Sequence, residues 1–392
     1  DVGLIEGAVP QVSGELELEY AMPIHVPMVD VHTIGAGGGS IASVDASGLL
    51  KVGPQSAGAT PGPICYGRGG TRPTITDANL VLGRLDPDRL LAVDQAVSID
   101  AIRAVLLEQV GAPLGLDANG AAAAILRIAN DRMAGAIRMV SLARGLDPRD
   151  FALFAFGGAG PLHAVALARE LGIPKVLIPA RPGLTNALGC VVADLRHDFV
   201  ATVNRPLEAV AEGRVGEILE AHIAAGQALI GRENVAVERI VALHRADMQF
   251  QGQSHILPVA LESTRVTTDQ LRAAFTAAYL RRFGVELPEI RPVLVNLHTA
   301  VIGRRKALSL ATLAPPHPGA SLEDARRTSR PVWFEESGFV TTPVYVRERL
   351  PAAVSFVGPA IVEQLDCTTV VDPGVAARLD PIGNFVLTMP GR

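Results

Sequence analysis

FALFAFGGAGPLHAVALARELGIPKVLIP, residues 151–179, sets the fold class. Phe151–Phe156 is a short apolar run of strand length. Gly157–Pro161 carries the glycines and proline of a tight turn. His163–Leu171 reads as a helix that stops at Gly172, a residue suited to the left-handed position past a helix end. Lys175–Ile178 is a second apolar run. Strand, turn, helix and strand in that order predict an α/β sheet with buried strands and ligands received at the strand ends.

Upstream, Asp117–Gly145 predicts a long helix. Asp117 is a capping residue, alanines fill the middle, and Ile125, Ile128, Met133, Ile137 and Val140 fall near one stripe. Gly145 stands where a C-terminal cap belongs, with Pro148 beyond it. Residues 14–31 read as short strands, and Gly53–Thr74 as a loop of a length that usually serves a function. Downstream, helices are predicted near 207–230 and 267–283, and strands at 239–250, 254–260, 293–302 and 339–346. The domain reading is an α/β lobe over 1–200, an α+β region over 201–313, a linker over 314–330 and a β-rich region over 331–392.

Composition narrows the function. Of 392 residues, 48% are apolar and 19% charged, which suits a large core and excludes a disordered chain. The net charge is -5 and no basic tract stands out, so nucleic acid is not an expected partner. The three cysteines, Cys65, Cys190 and Cys367, form no CxxC pair, which argues against a disulfide framework or thiolate zinc site and fits a reducing cytoplasm. The uncharged stretch Phe151–Ala168 is broken by glycines and a proline, so no membrane span is expected. The opening DVGLIEGAVP lacks the features of a signal peptide and an initiating Met. The expectation is a processed start or the later part of a longer polypeptide.

The most informative segment for chemistry is VDVHTIGAGGGSIA, residues 29–42. On a strand, Val29 and Val31 face one way and Asp30 and His32 the other. The chain then enters Gly35, Gly37, Gly38, Gly39 and Ser40. Successive N–H groups of such a turn suit a phosphate; the alternative is a tight hairpin with a glycine bulge. No P-loop is present, and Ser40 stands where a Rossmann fingerprint needs its third glycine. The second turn, Gly157, Gly158, Ala159 and Gly160, opens a helix, again a place for phosphate or nucleotide, or simply for close strand–helix packing.

Other polar residues carry two readings each. Asp30 and His32 suit magnesium-water contact or proton handling, or else a hydrogen-bonded pair that steadies the turn. Arg68 sits on a glycine loop suited to closure over phosphate, or is a solvated arginine. Asp77 and Asn79 suit helix capping or a site role. His163 suits nucleotide contact or packing. Cys65 and Cys190 read as small core residues. Asp194, His197 and Asp198 read as helix-surface charge. No HExxH or HxH motif points to a protein metal site.

In this order and spacing, the two glycine turns resemble the phosphate-2 and adenosine motifs of the actin/Hsp70/sugar-kinase ATPase superfamily, in which two ribonuclease-H-like lobes clasp ATP. The chain is more similar still to the hydantoinase A/5-oxoprolinase family, which includes nucleotide-binding subunits of acetone and acetophenone carboxylases. VDVHTIGAGGGSIA, VGPQSAGATPGPICYGRGG, TITDANLVLGRLDP, the 151–179 segment, LGCVVADLRHDFV, FQGQSHIL, GFVTTPVYVRERL and GPAIVEQLDCTTVVDPG carry that resemblance across nearly the whole chain. It implies a ribonuclease-H-like ATPase lobe, ATP with Mg²⁺, and ATP-dependent hydrolysis of a cyclic amide of hydantoin or 5-oxoproline type, completed by a B-type partner subunit or domain. A carboxylase subunit and a non-catalytic ATP-driven conformational module are the alternatives. The first phosphate motif, of type DxGGTxTD, is absent. The resemblance therefore implies that the chain is the C-terminal portion of a subunit, and that an N-terminal segment or another chain supplies the second lobe. Gly35 also stands where Hsp70-like relatives have an aspartate.

Overall fold

The computed structural model describes residues 1–391 except 14–15, 20–21, 25–27, 92, 94 and 314–320. The chain divides into two units, Asp1–Leu188 with Ser309–Arg392, and Gly189–Leu308.

In the first unit, the strand Ala152–Phe154 runs parallel to Lys175–Ile178, and the helix between them is Gly160–Leu171. The strands Phe385–Thr388, Ala376–Leu379 and Ser355–Val357 extend the sheet to five. The C-terminal stretch, expected to be β-rich, supplies three of the five strands of this sheet. A second sheet orders Arg326–Phe334, Gly338–Val346, Ala360–Gln364 and Cys367–Val371. The linker expected over 314–330 lies outside the described residues as far as 320, and Arg326 already begins a strand. The expectation of two buried strands holds for Lys175–Ile178, whose Val176 and Ile178 are fully buried. It fails for Phe151–Phe156. This run sits at the sheet edge, where Phe154 is 42% and Phe156 39% exposed.

Helix α1 (Ile75–Val81) and helix α2 (Ala118–Ser141) share a core of Ala78, Leu82, Ala121, Ala122, Ile125, Leu126 and Ala129. Asp117 caps α2 by accepting the Gly120 N–H at 2.7 Å, and Gly145 takes φ 76° at its far end. Alanines on the buried face let α1 and helix α3 (Gly160–Leu171) approach α2 closely, while each buried Ile or Leu contributes about 1.5–3 kcal/mol. Arg347 ties the two sheets. It is buried, and its guanidinium donates to the carbonyls of Ile178, Pro179 and Gly383 and to Gln364.

Helix α4 (Thr185–Val192) carries the chain into the second unit. There an antiparallel sheet orders Leu195–Pro206, Pro292–Arg304, Arg239–Phe250 and Leu257–Leu261. Helices α5 (Arg214–Arg232) and α6 (Thr268–Phe283) supply Leu219, Leu271 and Phe275 to a core with Met248 and Leu297. Thr267 and Gln270 form a capping box on α6. His197 and Asp198, read from the sequence as helix-surface charge, lie on a strand instead. There Arg196 bonds Asp198 at 2.8 Å and His197 meets Glu233 at 2.9 Å. Alternating burial along this strand follows its period of two.

Candidate functional site: two glycine turns on one cavity

The first glycine turn joins Val31–His32 to Ser40–Val44, but these strands do not pair with each other. The former pairs with Val2–Gly3 and the latter with Leu50–Ser56, so a tight hairpin is excluded. Gly35, Gly37, Gly38 and Gly39 all keep φ outside the left-handed region. Close approach requires glycine here. A Cβ on Gly35 would fall 2.6 Å from Pro54 Cβ, and one on Gly38 2.7 Å from Thr76 Oγ1, whereas one on Gly37 would meet nothing within 4 Å. The Ser40 hydroxyl accepts the Gly37 N–H at 2.9 Å and donates to the Gly35 carbonyl at 3.3 Å. Thr76, on α1, donates its backbone N–H and its hydroxyl to the Gly38 carbonyl, each at 2.9 Å. The N–H groups of Gly38 and Gly39 have no acceptor among the described residues.

The second turn follows Ala152–Phe154. Gly157 has φ 80°, and its N–H donates to the Pro182 carbonyl at 2.8 Å. Helix α3 opens with Pro161 in its first turn and no capping side chain. The N–H groups of Gly158, Ala159 and Gly160 again have no acceptor among the described residues. Bare amides at the start of a helix form a partial positive charge.

Gly38 from the first turn, Thr76 from the start of α1, and Gly158 and Ala159 from the second turn line one cavity of about 630 Å³. Its size is that of small-molecule sites. Leu85, Leu90 and Leu162 give apolar wall, and Tyr66 an aromatic ring. Most acids on the wall are already engaged. Glu363 meets Arg327 at 2.5 Å and Arg330 at 2.8 Å, and Asp86 meets Arg327 at 2.8 Å. Asp366 accepts the Gly183 N–H at 3.0 Å and the Gln364 amide at 2.8 Å. Arg89 lines the cavity and makes no ion pair among the described residues. Burial pushes the Cys367 thiol up to about 12, so it is no nucleophile near neutral pH.

The other sequence-predicted residues lie outside this lining. Asp30 pairs with Arg144 and gives its N–H to the Gln11 carbonyl. His32 stands opposite Val2 in the short strand pair. Arg68 donates to the Ala59 carbonyl at 3.2 Å and lies 5.9 Å from the centre of the Tyr66 ring, so it meets the cavity through Tyr66. Asp77 is fully buried. Its carboxylate accepts the N–H groups of Ile64, Cys65 and Thr74 and the Thr74 hydroxyl, which occupies its acceptor sites. Asn79 is buried and donates to the Ile75 carbonyl. Asp77 completes the capping box of α1 with Thr74, and Asn79 braces the same helix from within it. Cys65 is buried as expected, but Cys190 is exposed.

His163 is a packing residue. Its Nδ1 lies 2.8 Å from Asn130 Oδ1, and burial, with Arg84 nearby, lowers it to about 3. The folded protein therefore holds it neutral where an unfolded chain, near 6.5, takes up a proton. Its contribution is complete above about pH 6.5 and is lost as the pH falls toward 3, with a slope of up to about 1.4 kcal/mol per pH unit. His163→Gln keeps an N–H donor for Asn130 and removes the titration. Urea unfolding at several pH values should show a shallower acid limb for the variant; an unchanged slope would place the titration elsewhere.

Thr76, Arg89 and Asp366 were not singled out from the sequence. Thr76 stands between the noted Thr74 and Asp77, and Asp366 lies inside a family-like stretch; neither spacing reveals what it faces. Among the described residues no three His, Cys, Asp or Glu side chains gather around a metal position, and no helix is long and apolar enough to cross a membrane.

By architecture this is a mixed α/β protein with a cavity walled by two glycine turns. It belongs to the hydantoinase/oxoprolinase family: that family's profile matches residues 1–199, and the profile of the hydantoinase/oxoprolinase C-terminal domain matches residues 227–388. The caprolactamase subunit alpha of Pseudomonas jessenii is 37% identical over 94% of this chain and 53% of its own length. A 5-oxoprolinase of Pestalotiopsis fici is 32% identical over 91% of this chain and 28% of its own. The crystal structure of the ATP-dependent caprolactamase from P. jessenii superposes with a TM-score of 0.77 at 35% identity, covering 94% of this chain and 54% of that one. Nucleotide-free acetone carboxylase superposes at 0.71 and 25% identity, covering 93% and 53%. The chain spans about half the length of the caprolactamase subunit it matches.

Proposed function

We propose that this chain is the part of an ATP-dependent cyclic-amide hydrolase that holds the nucleotide and activates the ring amide. The observation that supports it most directly is the meeting of two amide-lined glycine turns on one cavity. A phosphate fits this chemistry, because bare N–H groups stabilise oxyanion charge without a counter-ion and a Cβ at Gly38 would crowd the turn. The amides of Gly38, Gly39, Gly158, Ala159 and Gly160 bind phosphate oxygens, Gly35, Gly37 and Ser40 shape the first turn, and Arg89 adds a cation. The five-stranded sheet with α3 serves as one lobe of an actin-like clasp.

When bound, ATP supplies the phosphoryl group that makes the amide oxygen a leaving group, which offsets the resonance that leaves an unstrained ring amide a poor electrophile. Mg²⁺ would arrive with the nucleotide, and Asp88, an acid on the cavity wall with no ion pair among the described residues, would contact its water shell. Asp30 and His32 steady the first turn. Tyr66, with Arg68 over it, closes one wall against water. A segment or chain bearing the first phosphate motif and a B-type hydantoinase partner complete the enzyme.

The likeness to acetone carboxylase favours one second reading, activation of bicarbonate and a ketone by the same turns. Phosphate release from ATP by the assembled enzyme separates the two. Stimulation by caprolactam, hydantoin or 5-oxoproline is the expected result. Stimulation by acetone with bicarbonate alone would move the chain to the carboxylase branch, and substrate-independent turnover would make it a conformational module.

A further inference from the structure

A second cavity in the first unit, of about 200 Å³, is lined by Arg84, Asn130, Arg169 and Trp333, with Arg127, Glu335 and Asp372 at its wall. Arg84 follows α1. Its N–H donates to the Asn79 carbonyl at 2.9 Å and its carbonyl accepts from Arg330 at 3.1 Å, so the backbone is held from both sides. The side chain is buried, with only 8% of the residue exposed, yet its Nε has no hydrogen-bond partner, and its guanidinium makes no ion pair among the described residues. The neighbouring charges are already matched. Arg127 pairs with Glu335, Arg169 meets Asp372 at 3.2 Å, and Glu170 meets Arg138 at 2.8 Å. Asn130 spends its carbonyl oxygen on His163, which leaves its amide N–H groups without an acceptor among the described residues. Asp372 and Glu335 act on Arg84 through space only, and a buried cation with no hydrogen-bonded counter-ion among the described residues is costly; an arginine fork fits a carboxylate or phosphate through two parallel hydrogen bonds.

We infer that Arg84, with Asn130 beside it, forms a second anion site, separate from the glycine-turn cavity, that takes a small oxyanion of the size of inorganic phosphate, bicarbonate or acetate. The guanidinium and the Asn130 amide donate to the anion's oxygens, and no covalent step is involved. This inference does not depend on the proposed activity.

Trp333 is the one tryptophan of the sequence and lines this cavity, so its emission reports on occupancy. The 392-residue chain is titrated with sodium phosphate, bicarbonate or acetate against sodium chloride at equal ionic strength, following Trp333 fluorescence and the melting temperature. The three arms identify which oxyanion is preferred. The expected result is a saturable change in emission with at least one of them and, at about 100-fold excess over half-saturation, a rise in melting temperature of roughly 3 °C or more. Arg84→Met loses both responses and, without anion, melts no lower than the parent. Arg84→Lys weakens binding about tenfold through loss of the planar fork. Asn130→Asp keeps an acceptor for His163 and places a carboxylate beside Arg84, so it also loses the response; it decides the matter if Arg84→Met fails to fold. Gly38→Val keeps the Trp333 response, because the two cavities are distinct. No difference from chloride with any of the three anions, or a full response in Arg84→Met or Asn130→Asp, overturns the site.

Discussion

Gly38→Val is expected to lower the affinity of the assembled enzyme for a non-hydrolysable ATP analogue at least 100-fold, about 2.7 kcal/mol, while the sheets stay folded. The new Cβ would lie 2.7 Å from Thr76 Oγ1, a separation that real Cβ contacts do not show. The threonine hydroxyl must swing away, which removes its bond to the Gly38 carbonyl. The two added methyl groups then occupy lining where phosphate oxygens are proposed to sit. Gly37→Ala is the matched control: its Cβ meets nothing within 4 Å and its φ is not left-handed, so affinity should stay within about threefold. Calorimetric titration measures both, and circular dichroism checks the fold. Unaltered binding by Gly38→Val would remove this turn from the phosphate site.

Local patterns carried much of this fold. Asp117 and Gly145 bound a helix because capping and left-handed φ are decided within a few residues. The second-unit strand Arg239–Phe250 coincides with its expected limits because its alternation is local as well. What failed was decided at a distance. Phe151–Phe156 has the composition of a buried strand, but burial depends on which strand lies next to it, and among the described residues this one has a neighbour on one side only. Residues 331–392 are legible as β-rich, but nothing in their own pattern reveals that Phe385–Thr388 pairs with Lys175–Ile178. At the site, both glycine turns were legible as glycines, but their meeting on one cavity was not. The reason glycine is needed at position 38 also lies 38 residues away, in Thr76. Asp30 and His32 drew attention through their alternation beside the turn, yet Arg144, remote in sequence, takes up Asp30.

Asp77 carries the second large effect, on stability. Its carboxylate gathers the N–H groups of Ile64, Cys65 and Thr74 and the Thr74 hydroxyl, at 2.8–3.3 Å, in a place no solvent reaches. Asp77→Ala strands those donors without water to replace the acceptor, and should cost about 3–5 kcal/mol in urea unfolding of the chain. Asp77→Asn keeps the shape but turns an NH₂ group toward donors, so it should recover only part of that loss. Function should follow structure here. Thr74 caps α1 and Thr76 holds the Gly38 carbonyl, so loosening the start of α1 also loosens the glycine turn. Nucleotide affinity should therefore fall in step with stability across Asp77→Asn and Asp77→Ala. A catalytic carboxylate behaves differently: Asp77→Asn would then stop turnover with unfolding free energy and nucleotide affinity unchanged. That pattern would return Asp77 to the chemistry and overturn its assignment as the brace that sets the turn.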